Sequence, residues 1–170
     1  MKLEFLKNRY DFELQRKEQL TSALTLPVGV LSVLGGLMTA MARSFTGKHL
    51  WLSVSFFASS GVDVVVFFTC LIYLFRAYHE QKYMYLPLLY ELQGWENDFV
   101  GLNSYDAAMG KADEAFERHI GERIIEAADR NTANNERRSG LLHRARLALF
   151  GVLIFTTLTG VIYVVNQWVR

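Results

Sequence analysis

The sequence predicts an all-α membrane protein with three transmembrane helices, N-terminus inside and C-terminus outside, and a helical cytoplasmic segment between the second and third spans. Charge segregation is the first observation behind this reading. Of 170 residues 51% are apolar and 21% charged, with a net charge of +1 and a mean hydropathy of +0.13, averages close to those of a soluble domain. Yet residues 19–42 carry no charge, 49–75 carry only Asp63 and 147–169 carry none. Those blocks of 24, 27 and 23 residues leave 34 of the 35 charges to the other 96 residues. Length is the second observation: as helices the blocks run roughly 36, 40 and 34 Å, against hydrocarbon about 30 Å thick. Buried core helices stop near 10–14 apolar residues, and three of twice that length exceed the core so short a chain can enclose.

The third observation is the placement of basic and aromatic residues, which sets orientation. Lys2, Lys7, Arg9, Arg16 and Lys17 precede the first span, and Arg76, Lys82, Arg137, Arg138, Arg144 and Arg146 stand beside the membrane junctions of 76–146. Only Arg43, Lys48 and Arg170 face them, eleven against three. Trp51 and Trp168 then fall at the outer interface, and Tyr73 and Tyr78 near the inner one. The resulting divisions are a cytoplasmic amphipathic lead 1–23, a first span 24–42, an outer turn 43–49, a second span 50–75, a cytoplasmic helical region 76–146 and a third span 147–169.

In the lead, Leu3, Leu6, Tyr10 and Leu14, extended at most to Leu20, make a loose apolar stripe among charged residues, the pattern of a helix lying on a membrane or a partner. No cleavable signal peptide is expected, because 18 mostly polar residues precede the first apolar block. Pro27 either kinks the first span or begins a new helix. Thr25, Gly29, Ser32, Gly36 and Thr39 form a seam of small residues that allows close helix approach, and Thr156 and Gly160 repeat the device in the third span. These positions are the candidate packing and self-association surface. The aromatic run Tyr83 to Tyr90, with Trp95 and Phe99 beyond it, could continue the second span, break at Pro87 and pack on the next helix. Over 105–129, Met109, Ala112, Phe116, Ile120, Ile124 and Ala127 recur at helical spacing above a charged face. Met109, Phe116, Ile120 and Ile124 are the candidate partner-binding face. Asn131-Thr132-Ala133-Asn134-Asn135 reads as a loop or helix break.

Asp63 lies within one position of the middle of its block. An ionised carboxylate there costs about 2.5–3.5 kcal/mol on insertion scales, so the group must be neutral, paired, or turned to water or protein. Ser55, Ser59 and Ser60 lie near the same helix face. The four residues are the candidate polar intramembrane site, read either as helix packing or as part of a conducting path. Catalysis is not expected. His49, His79, His119 and His143 are scattered, Cys70 is the single cysteine, and no nucleophile elbow or phosphate loop occurs. No metal or other cofactor is implied. Segment 76–146 holds ten Lys and Arg against twelve Asp and Glu, which argues against direct nucleic-acid binding.

The stretch Tyr10-Asp11-Phe12-Glu13-Leu14-Gln15-Arg16-Lys17-Glu18-Gln19-Leu20, running into Ala23-Leu24, Pro27 and Gly29 and then a membrane hairpin, resembles small multispan membrane effectors of bacterial antiphage defence, of the SLATT type or linked to retrons. The resemblance covers about residues 9–76; the third span departs from the two-span pattern. It implies a homo-oligomer in the bacterial inner membrane, held quiet by a soluble cytoplasmic sensor and permeabilising the membrane on release, an abortive-infection function. A non-conducting membrane anchor or sensor subunit for a soluble cytoplasmic partner is the alternative the residues also permit.

Overall fold

Apolar residues spaced three and four apart build four long helices, in a computed structural model that describes residues 3–47, 49–79, 82–87, 91, 93–95, 97 and 109–169, with side chains in the last stretch from Glu114 onward. They are α1 (Leu3–Ser22), α2 (Thr25–Ser44), α3 (Leu50–His79) and α4 (Met109–Trp168). No strand occurs among the described residues. Three helical stretches, within Leu3–Ser44, Leu50–His79 and Glu114–Trp168, are long and apolar enough to cross a membrane.

The chain divides into two compact units, one of Met1–Gln19 with Gln81–Glu136, the other of Leu20–Glu80 with Arg137–Arg170. In the second unit α2, α3 and α4 pack through Leu24, Leu31, Cys70, Leu74, Leu142, Ala145, Leu149 and Val152. Their outward faces are apolar too: Val33, Phe57, Val65, Phe68, Phe150 and Ile154 are all exposed. A water-soluble bundle would turn charges there, whereas hydrocarbon accepts such a surface.

The buried residues follow a period of 3.5. On α3 they are Leu52, Phe56, Ser59, Asp63, Cys70, Leu74 and Ala77; on α4 the series is Leu142, Ala145, Leu149, Val152, Thr156, Thr159 and Asn166. That is the alternating three-and-four spacing of knobs packed into holes, which keeps one seam facing its neighbours along a long helix. The α2 seam is Leu24, Pro27, Leu31 and Met41, large side chains rather than the small ones.

Pro27 begins a helix rather than kinking one. α1 ends at Ser22 and α2 starts at Thr25, which places the proline in the first turn, where its missing N–H leaves no bond unmade. The Leu24 N–H donates to Thr21 O at 3.2 Å to close the turn. At the far end of α2 the residues that follow the helix are held by α4. Asn166 Nδ2 donates to Thr46 O at 2.7 Å, and Ser44 Oγ and Tyr163 Oη are 3.0 Å apart. Phe45 stacks on Phe56 with ring centroids 3.9 Å apart.

In the first unit the stripe of α1 meets its own chain. Leu6 and Tyr10 bury against Ile124, Ala127 and Ala128 of α4, with Leu3, Leu14, Met84, Leu86 and Ile120 packed around them. The break expected at 131–135 does not occur: α4 runs unbroken through all five residues. Asparagine disfavours helix interiors by competing for nearby backbone bonds, but these carboxamides bond outward to another segment. Asn131 and Asn135, one turn apart, are fully buried. α3 covers the expected second span 50–75 and ends at His79. The aromatic run does not carry the helix on to Pro87, because Lys82–Pro87 is an extended strap.

The strap's backbone bonds are completed by side chains. Asn131 Oδ1 accepts from the Met84 N–H and Asn131 Nδ2 donates to Met84 O, both at 2.9 Å. Asn134 Nδ2 donates to Lys82 O at 2.8 Å, and the Leu86 N–H donates to Tyr10 Oη at 3.1 Å. Tyr83 Oη donates to Asn135 Oδ1 at 2.7 Å, while Asn135 Nδ2 reaches Glu13 O at 2.8 Å and Glu13 Oε2 at 2.9 Å. Arg9 pairs with Glu13 at 3.0 Å. Asn131→Ala leaves an amide and a carbonyl of Met84 unpaired and costs about 1–3 kcal/mol; Asn134→Ala, at a more open position, costs about 0.5 kcal/mol. Chemical unfolding of the two variants in detergent, compared with wild type, checks the order.

Candidate functional site

The polar intramembrane residues of α3 are placed by the seam. α3 and α4 run antiparallel, so residues late in one meet residues early in the other. Cys70 Sγ lies 3.2 Å from Ala145 O, a Cβ on Gly151 would come within 3.0 Å of Val66 Cγ1, Asp63 meets Thr156, and Ser59 meets Thr159. Thr156 Oγ1 donates to Asp63 Oδ2 at 2.7 Å, and Asp63 is 0% exposed. Thr159 Oγ1 donates to Ser59 Oγ at 3.0 Å, and Ser59 Oγ donates to Phe56 O at 3.1 Å. Two polar rungs one turn apart therefore cross an otherwise apolar interface. The Ser59 rung ends on a backbone carbonyl. The Asp63 rung leaves Oδ1 buried with no hydrogen-bond partner among the described residues.

Of the other sequence candidates, Ser60 lines a cavity of about 320 Å³ with Gly35, Thr39, Phe67, Phe68 and Thr159, and Ser55 is half-buried. The four α3 residues thus do not form one cluster; Asp63 and Ser59 face α4, Ser60 faces the cavity. Thr156 and Gly160 belong to the internal packing, and a Cβ on Gly160 would stand 3.8 Å from Met41 Sδ. The first-span seam is turned outward, with Thr39 also at the border of that cavity. Gly29, Ser32, Gly36 and Thr39 are exposed, Ser32 and Thr39 donate to the carbonyls of Val28 and Gly35 in their own helix, and a Cβ on Gly29 or Gly36 would meet nothing within 4 Å. The close-contact glycine of the bundle is Gly151, which spacing alone did not single out.

The face expected to bind a partner is covered within the chain. Ile124 is buried beneath α1, Ile120 packs at the edge of the same cluster and Phe116 is half-buried; the side chain of Met109 lies outside the described residues. Phe99 also lies outside them, and Trp95 sits edge-on to His119 with ring centroids 5.1 Å apart. Sequence reading missed the asparagine contacts altogether. The signal was present: Asn131 and Asn135 continue the 3.5-residue series of α4 instead of interrupting it.

No grouping of three or more metal-ligating side chains occurs among the described residues. Comparison with protein-family models, with curated proteins and with solved structures gave no match.

The two rungs give a stability test. Thr156→Val orphans a buried carboxyl and destabilises by about 1–3 kcal/mol, more than the roughly 0.6 kcal/mol average of an interhelical hydrogen bond in a membrane protein. The double variant Asp63→Leu with Thr156→Val removes the orphan and recovers most of that loss. Unfolding in mixed micelles reads both.

Proposed function

We propose that the chain is a multi-pass inner-membrane effector of bacterial antiphage defence, which assembles with further copies and permeabilises the membrane once a cytoplasmic partner releases it. The observation that carries the reading is the incompletely satisfied Asp63 carboxyl at the α3–α4 seam, in the middle of an apolar span. A buried polar group in hydrocarbon is costly unless its bonding is complete. Separation of α3 from α4 turns Asp63, Ser59, Thr156 and Thr159 toward water and gives a polar path through the bilayer. The uncovered Gly29, Ser32, Gly36 and Thr39 face of α2 supports assembly, since small residues let helices approach closely where hydrocarbon offers no hydrophobic drive.

The orientation proposed is N-terminus and 76–146 in the cytoplasm. Two observations support it: the eleven-to-three bias of basic residues, and the grouping of the lead with 81–136 in one compact unit, which requires an even number of crossings between them.

The second reading, a non-conducting anchor or sensor subunit, is favoured by a different observation: Thr156 meets Asp63, and Thr159 meets Ser59, inside a single chain. Expression in bacteria carrying a potential-sensitive dye separates the two. The effector reading expects depolarisation without the partner, reduced by Asp63→Asn and by Gly36→Leu, the latter at an exposed position where an added Cβ meets nothing within 4 Å. The anchor reading expects no depolarisation, and loss of partner recruitment on reversing Glu117 and Glu122 to Lys.

A further inference from the structure

The strap is bound as a separate peptide would be. An extended segment presents alternate side chains to opposite sides, and here Met84 and Leu86 enter the α1–α4 cluster while Tyr83 and Tyr85 lie against Lys17. The Lys17 ammonium is 5.0 Å from the Tyr83 ring centroid and 5.1 Å from that of Tyr85, within cation–π range. Affinity for the main chain is supplied by side chains fixed on helices. Asn131 takes both the N–H and the C=O of one residue, as a neighbouring strand would, while Asn134 and Tyr10 hold the carbonyl and amide two residues to either side. This is recognition by backbone pairing with alternate side-chain pockets, the logic by which extended peptides add to a sheet edge, executed with carboxamides in place of a strand. Asn135 also accepts from the Tyr83 hydroxyl at 2.7 Å, while Met84 and Leu86 pack against the apolar cluster, so the groove reads an extended backbone with apolar groups two apart and aromatic groups between them.

We infer that the groove between α1 and α4 is a receptor for an extended segment of a partner protein, with aromatic and apolar side chains alternating, and that Lys82–Pro87 occupies it until displaced. The inference names the partner site for the release step of the proposed function. It rests on that reading only for its consequence in the membrane, because its test measures binding.

The test uses the full chain in detergent and a fluorescent synthetic peptide with the sequence of residues 82–87. In a variant with Tyr83, Met84, Tyr85 and Leu86 all changed to Ser, the emptied groove takes the peptide saturably, at least tenfold more tightly than wild type, whose own strap competes at a roughly millimolar effective concentration. Adding Asn131→Leu to that variant abolishes binding. A helical, monodisperse serine variant that fails to bind overturns the inference, as does undiminished binding after Asn131→Leu. Should the serine variant not fold, hydrogen exchange on wild type decides. Excess peptide accelerates exchange of the Met84 and Leu86 amides if the groove is a receptor, and unchanged protection of both overturns it.

Discussion

A hydrogen-bonding group placed inside hydrocarbon must find its partner in the neighbouring helix, and this requirement fixes how α3 and α4 align. Apolar seams slide: leucine and valine on one helix meet leucine and valine on the next at several registers with similar area buried. Asp63 needs a hydrogen-bonding group opposite it, and Thr156 is where one stands; Ser59 and Thr159 repeat the match one turn away. Polar residues at seam positions are known to specify register at some cost in stability. Gly151 then lets Val66 approach to the limit of contact, and Cys70 reaches a carbonyl of α4, so the polar rungs are followed by tight packing toward the other end.

The same logic appears in the first unit with different chemistry. There the groups to be satisfied are backbone amides and carbonyls of an extended segment that has no strand beside it. Burial of such groups unpaired costs about as much as a lost hydrogen bond each. Asn131, Asn134, Asn135 and Tyr10 supply the missing partners, and Glu13 closes the network on the α1 side with Arg9 at 3.0 Å. Asparagine suits the task because one carboxamide both donates and accepts. Its poor helix propensity, under about 1 kcal/mol per residue, is small beside several buried bonds.

The three apolar helices were legible in the sequence because charge segregation over more than twenty residues has few other causes. Asp63 was legible because a lone carboxyl in such a block is expensive wherever it points. Its partner was not, since Thr156 becomes a donor to Asp63 only once α3 and α4 run antiparallel in a particular register. The side to which the α2 seam turns was not legible for a related reason: small residues at three-and-four spacing signal close approach, but the helix and its N-cap carry a second stripe, Leu24, Leu31 and Met41, on the side that faces the bundle. Composition describes both stripes equally well and does not say which is inward. The asparagine run read as a break because propensity scales describe a helix alone, and the contacts that override them lie 47 and 122 positions away in the chain.

Function as proposed depends on α3 parting from α4, and the native Cys70 reports on that seam directly. It is 0% exposed, is the single cysteine, and has its Sγ against the Ala145 carbonyl. Labelling of Cys70 by N-ethylmaleimide, quantified by mass spectrometry in cells monitored for membrane potential, is the decisive measurement. Labelling that rises in step with depolarisation is the expected result. Full depolarisation with Cys70 still protected contradicts it.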